Sequence, residues 1–127
     1  MRAFLFFVIF LITLLSSCSG NRMIQTDLYF GQSRPDGTLI TDAEWRSFKT
    51  HQISKVFKEG STTISATGNW YDPGRHQLIT EPTYVVVYHY KKSRKKSAQI
   101  DSLINVYKAM FKQQSVLRID KKVKAKF

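Results

Sequence analysis

One cysteine, three histidines and nine carboxylates are all this chain offers to thiol, metal or acid–base chemistry. His51, His76 and His89 include no i,i+4 pair that would set two ligands on one helix face, so no metal site is expected. No glycine motif of the phosphate-cradling kind is present. Gly31-Gln32-Ser33-Arg34-Pro35 begins like the elbow that presents a nucleophilic serine. Proline stands where the second glycine belongs, and the segment reads as a turn. The residues with the widest chemical reach are Asp27, Tyr29, Arg34, Asp36, Glu81, Tyr84, Tyr88 and Arg118. A carboxylate beside an arginine and tyrosines can bind a small polar ligand or move a proton. The plainer readings make Asp27 and Arg118 a cross-strand ion pair, Asp36 a turn builder and Glu81 a surface residue before Pro82. No catalytic residue is assigned and no cofactor is expected.

The cysteine has a different use. Arg2 precedes an apolar run from Phe4 to Leu15 that Thr13 alone interrupts. The run is shorter than the roughly 20 residues of a membrane span and fits the core of a secretory signal. Leu15-Ser16-Ser17-Cys18 at its end looks like a bacterial lipobox, where the precursor is cut and the new N-terminal cysteine acylated. The expected division is a signal peptide over 1–17, a lipidated Cys18 with a short tether over 18–23, and one domain over 24–127. Ser19 follows the cysteine, where an aspartate would resemble an inner-membrane retention signal. The expected address is therefore the cell envelope, anchored by palmitate-type lipid in the outer membrane and facing the periplasm.

With Cys18 acylated, no disulfide, thiolate catalysis or cysteine–metal site is left, and packing alone must hold the fold. Aromatic residues make up 13% of the chain, which argues against disorder. The net charge of +11 points to anionic surroundings. Lys91, Lys92, Arg94, Lys95 and Lys96 concentrate that charge in one connection. They are expected to lie against anionic head groups, with solvated loop as the bland alternative.

The elements that position these residues follow from periodicity. Ile24, Thr26, Leu28 and Phe30 alternate with polar residues as a half-buried strand. Thr41-Asp42-Ala43-Glu44 is a capping box. Trp45, Phe48, Ile53 and Val56 recur behind it at helical spacing, and Gly60 ends the helix. Thr62 to Trp70 alternates as a second strand, with a turn near Pro73-Gly74, and Thr83 to Tyr90 is a dense third strand. Ile100, Leu103, Ile104, Tyr107, Met110 and Phe111 mark a second helix. Val116 to Ile119 is a fourth strand, and the tail from Val123 is expected to add an edge strand. The order β-α-β-β-α-β predicts an α+β, ferredoxin-like sandwich: one four-stranded antiparallel sheet with both helices on one face. Leu28, Phe30, Val85 and Val87 are expected under the helices, with Asp27, Tyr29, Tyr84, Tyr88 and Arg118 on the open face. Trp45 and Trp70 are expected in the core.

These residues also resemble a bacterial lipoprotein family known as domain of unknown function 3574. The resemblance runs from Thr26 to Asp120. It rests on Asp27-Leu28-Tyr29-Phe30-Gly31 with Ser33-Arg34-Pro35-Asp36-Gly37, on Glu44-Trp45 with Phe48, and on Phe57 with Gly60. Gly68-Asn69-Trp70, Glu81-Pro82-Thr83, and Tyr107-Lys108 with Phe111, Gln113 and Ser115-Val116-Leu117-Arg118 complete the series. Lys58 stands where the family often has proline, and Ala125 where many members have cysteine. The resemblance implies a lipoprotein and carries no activity.

Aromatics on a basic ferredoxin-like sheet are also found in RNA-binding modules, but the glycine-aromatic signature is missing from Thr83 to Tyr90. No nucleic-acid partner is expected. The expected role is a non-enzymatic binding or interaction module. Its partners would be membrane lipid through Cys18 and, at the open face, a second copy or another envelope protein. The alternative is a small cofactor-free enzyme with its pocket at a homodimer sheet interface.

Overall fold

A computed structural model describes residues 22–126. The expected signal peptide and Cys18 therefore lie outside the described residues. The chain is an α+β sandwich whose four strands pair in the order β2-β3-β1-β4. They are β1 (Arg22–Gly31), β2 (Thr62–Asp72), β3 (Gln77–Lys91) and β4 (Leu117–Lys124). All pairings are antiparallel. Two helical segments connect them, α1 starting at Asp42–Phe48 and α2 at Arg94–Phe111. The ferredoxin-like order expected from the sequence is the order observed.

The predicted caps are in place. The Thr41 hydroxyl accepts from the Glu44 N–H at 3.2 Å, and the Glu44 carboxylate accepts from the Thr41 N–H at 2.8 Å. Past Phe48, α1 runs through a π-helical turn (Lys49–Ile53) and a last α turn (Ser54–Val56). The wider turn keeps Trp45, Phe48 and Ile53 all buried against the sheet. Gly60, with φ of 108°, then takes a conformation few other residues tolerate.

The core lies between the helices and one sheet face. Leu28, Phe30, Val86 and Tyr88 from the sheet meet Trp45, Phe48, Ile100, Leu103, Tyr107 and Phe111 from the helices. It is strongly aromatic. Phe30 packs edge-on against Tyr107 with centroids 4.6 Å apart, and Trp45 stacks on Tyr84 at 4.6 Å. Such pairs add about 0.5–1.5 kcal/mol each beyond area burial. Buried phenols need partners: Tyr107 donates to the Gly31 carbonyl at 2.8 Å and accepts from Gln32 Nε2 at 3.0 Å.

The register corrects the expected facing of β3. Leu28 stands opposite Val86 and Thr26 opposite Tyr88, so the tyrosines share the helix side with Leu28. Val85 and Val87 take the open face. Alternating tyrosine and valine is apolar on both sides, and the larger rings fill the deeper gap beneath the helices. Arg118 is corrected in the same way. It stands opposite Leu28, on the helix side, and donates to Asp101 Oδ1 at 2.5 Å on α2. Trp70 is 48% exposed rather than core. The tail continues β4 to Lys124 as one strand, and among the described residues no extra edge strand follows it.

The β2–β3 hairpin outgrows the sheet. β1 ends at Gly31 opposite Thr83, so Thr67–Asp72 and Gln77–Pro82 pair only with each other. Pro82 is tolerated there. Its carbonyl accepts from the Gln32 N–H at 2.9 Å beyond the β1 ladder, so its missing N–H deprives no strand of a bond.

Candidate functional site

The open sheet face is built from the outward positions of all four strands. Tyr29 on β1, Ile64 on β2, Val85 and Val87 on β3, and Leu117 and Ile119 on β4 share it by register. Ile64 is 50% exposed and Leu117 56%. The arm adds Trp70 on this side and Leu78 and Tyr71 on the other, all exposed. Among the described residues no helix covers any of this.

Asp27 lies in the middle of that face and is nevertheless buried. Gln25 Nε2 donates to Oδ1 at 2.8 Å and Lys121 Nζ to Oδ2 at 2.9 Å. A ring nitrogen of His89 lies 3.3 Å from Gln25 Oε1, so a polar row crosses β4, β1 and β3. Burial pushes the Asp27 carboxyl up, but the Gln25 amide and the Lys121 ammonium outweigh it and hold the group below its ordinary value. It is a paired carboxylate that stays ionised at neutral pH, unsuited to taking up a proton.

The other expected site residues disperse. Arg34 binds Glu44 at 2.6 Å and the Leu39 carbonyl at 2.7 Å in the loop after β1. Those contacts, led by Arg34 and followed by Thr41, draw Glu44 down to about 2. Asp36 accepts from the Thr38 N–H at 2.9 Å and builds its turn. Glu81 lies across Gly31, where an added Cβ would come within 2.8 Å of its carboxylate, and accepts from the Ser33 N–H at 3.3 Å. Tyr84 and Tyr88 lie under the helices. Asp27 pairs with Lys121, not with Arg118.

A second feature was half legible. Lys91, Lys95 and Lys96 line a cleft of about 920 Å³, together with Lys55 and Lys58 from the end of α1. Lys92 and Arg94 are exposed and do not line it. Lys55 and Lys58 escaped the sequence reading because nothing local brings the end of α1 to the start of α2. Gln25 and Lys121 escaped it because the β1–β4 register is a long-range property. Among the described residues no group of three or more His, Cys, Asp or Glu could hold a metal ion. No described helix is long and apolar enough to cross a membrane.

Residues 25–127 match the model of a family described as "Protein of unknown function (DUF3574)". No curated protein matches. Similar solved structures include a phage SAM lyase in complex with S-methyl-5'-thioadenosine, at 14% identity and a TM-score of 0.61, covering 87% of this chain and 95% of that one. A phage SAM lyase in the apo state is 16% identical with a TM-score of 0.59, covering 87% and 96%. CutA from Synechococcus elongatus is 8% identical with a TM-score of 0.52, covering 86% and 84%. At these identities the likeness is one of fold alone.

Proposed function

We propose, from the premise that this chain belongs to the DUF3574 family of proteins of unknown function, that it is a lipid-anchored envelope protein acting as a non-enzymatic interaction module. Its open sheet face is the docking surface and a second copy of the chain is the occupant. The observation that carries the reading is an apolar face spanning four strands whose central carboxylate is already neutralised by Lys121. Exposed apolar patches of several hundred Å² mark interaction sites. Most of the excess positive charge sits elsewhere, so two such faces can meet without strong repulsion. The hairpin arm supports a self-complementary contact. Trp70, Tyr71 and Leu78 make it apolar on both sides, which suits an arm clasped by a neighbour related by a two-fold axis.

The catalytic alternative would place its proton transfer on Asp27, which has both oxygens engaged and a depressed pKa. No ligand is carried over from the lyase. Anchoring rests on Leu15-Ser16-Ser17-Cys18.

The test is the oligomeric state of the full chain in neutral detergent. The wild type should sediment as a dimer. Ile64→Asp with Leu117→Asp should give a folded monomer, as judged by circular dichroism. A monomeric wild type, or a variant that still dimerises, overturns the docking assignment. The anchor is tested separately by Cys18→Ser, which should abolish palmitate incorporation.

A further inference from the structure

The basic cleft adjoins the edge of the open face: His89, whose ring nitrogen lies 3.3 Å from Gln25 Oε1, is among its lining residues with Met23 and Lys91. Lys55 and Lys58 bound it on one side, Lys91, Lys95 and Lys96 on the other, and Glu59 is the one carboxylate among its lining residues. Among the described residues Lys55, Lys58, Lys91 and Lys95 form no salt bridge; Lys96 is committed, donating to the Val56 carbonyl at 2.6 Å and lying 3.8 Å from Glu59. Glu59 is itself engaged by the Tyr88 hydroxyl.

The start of α2 breaks a local rule. A helix N-terminus carries a partial positive charge and favours acidic residues in its first turn. Here that turn holds Arg94, Lys95 and Lys96 and no acidic residue, behind a Ser93 cap that accepts from the Lys96 N–H at 3.2 Å. Cations stacked on the positive end of an 18-residue helix repel it and each other. Such a local conflict is expected where function demands it, and a bound anion would relieve it. The walls suit a ligand with an apolar part, since Met23 and the buried Tyr88 and Tyr90 lie between the lysines.

We propose that this cleft binds a phosphate-bearing anion carrying at least two negative charges. The chemistry is shared by soluble phosphorylated molecules and by phosphorylated lipid head groups. The position of β1 favours the head group, a step that rests on the anchoring reading. Met23, which lines the cleft, follows the first residue of β1. The four residues from Cys18 to Arg22 reach at most about 14 Å. An acylated Cys18 would hold the cleft against the bilayer surface.

Inorganic pyrophosphate is the probe, titrated calorimetrically into the full chain in neutral detergent. Binding is expected at low salt and should weaken as salt shortens the Debye length. Lys58→Gln with Lys95→Gln should weaken it about thirtyfold, taking each cation near an anionic partner at its usual value. Lys49→Gln, an exposed lysine outside the cleft, removes charge without touching the site and should change affinity less than about twofold. No binding at low salt, or equal losses in the cleft and Lys49 variants, overturns the proposal. Vesicles of phosphatidylglycerol with phosphatidylcholine decide the source. Displacement of pyrophosphate assigns the site to a head group, and failure to displace it assigns it to a soluble ligand. Neither pyrophosphate result depends on Cys18, so loss of the anchor reading leaves the binding test standing.

Discussion

The helix side and the open side of the sheet are both apolar, yet they treat polar groups in opposite ways. On the helix side, tyrosines are sealed with their rings in the core, and their hydroxyls reach Glu59 from Tyr88 or the backbone from Tyr107. Arg118 on that side is tied to Asp101 of α2. On the open side, Asp27 finds every partner within the sheet, from β1 itself and from β4. One face is completed by elements of its own chain. The other is polar-satisfied but uncovered, which is how a surface that meets a partner differs from a core. A fully buried polar group needs a bond inside the chain whether or not a partner arrives, and Asp27 already has its bonds.

The largest difference between the two sides should show at the tyrosines. Tyr84→Ser with Tyr88→Ser should remove a large share of the total stability, since truncating a buried aromatic costs about 3–5 kcal/mol. The loss should read directly as a lower urea midpoint. If the double variant folds with near-wild-type stability, the helix side is not the core.

Asp27→Asn tests the open side's own wiring. It should cost about 1–2 kcal/mol at neutral pH, where Lys121 loses its charged partner. The Asp27 carboxyl has a folded pKa below its ordinary 3.8, so its contribution is present above that pH and is lost as the pH falls through the folded value. Wild type and variant should therefore converge in stability below pH 3.8. Glu44 titrates with the same sign. Its contribution is complete above 4.5 and fades toward about 2, and Glu44→Gln should flatten that part of the acid limb. A gap between wild type and Asp27→Asn that stays constant through this range would detach Asp27 from its ion pair.

The smallest effect is the sharpest contrast. Leu117→Ala, at a position 56% exposed, should change monomer stability by less than about 0.5 kcal/mol while weakening self-association. Phe30→Ala, two strand positions from Asp27's neighbour Leu28, should do the reverse.

The element order, the Thr41 capping box and the Leu28–Phe30 side of β1 were legible because each is set by neighbours in the chain. The facing of β3 was not. Alternation says which residues share a side, not which side is covered, and Tyr84 to Tyr90 offers apolar groups to both. Arg118 misled for the same reason: its long stem lets a cation stand at the rim of the helix side. Trp70 lay on a hairpin arm whose length is fixed by where β1 stops, and that depends on pairing across the fold. Of the candidate site, Asp27 and the lysines of the β3–α2 connection were visible. Their partners Lys121, Lys55 and Lys58 were visible only once the strands and helix ends met.

The π-helical turn at Lys49–Ile53 has a consequence for related chains. Five residues separate Phe48 from Ile53, and in a regular α-helix they would point about 140° apart. The widened turn brings them back to one side. Removing a single residue from this stretch would leave a separation of four, which an ordinary α-helix places about 40° apart. The turn is thus a stored insertion, and loss of one residue here is the length change that α1 can absorb with its core contacts intact.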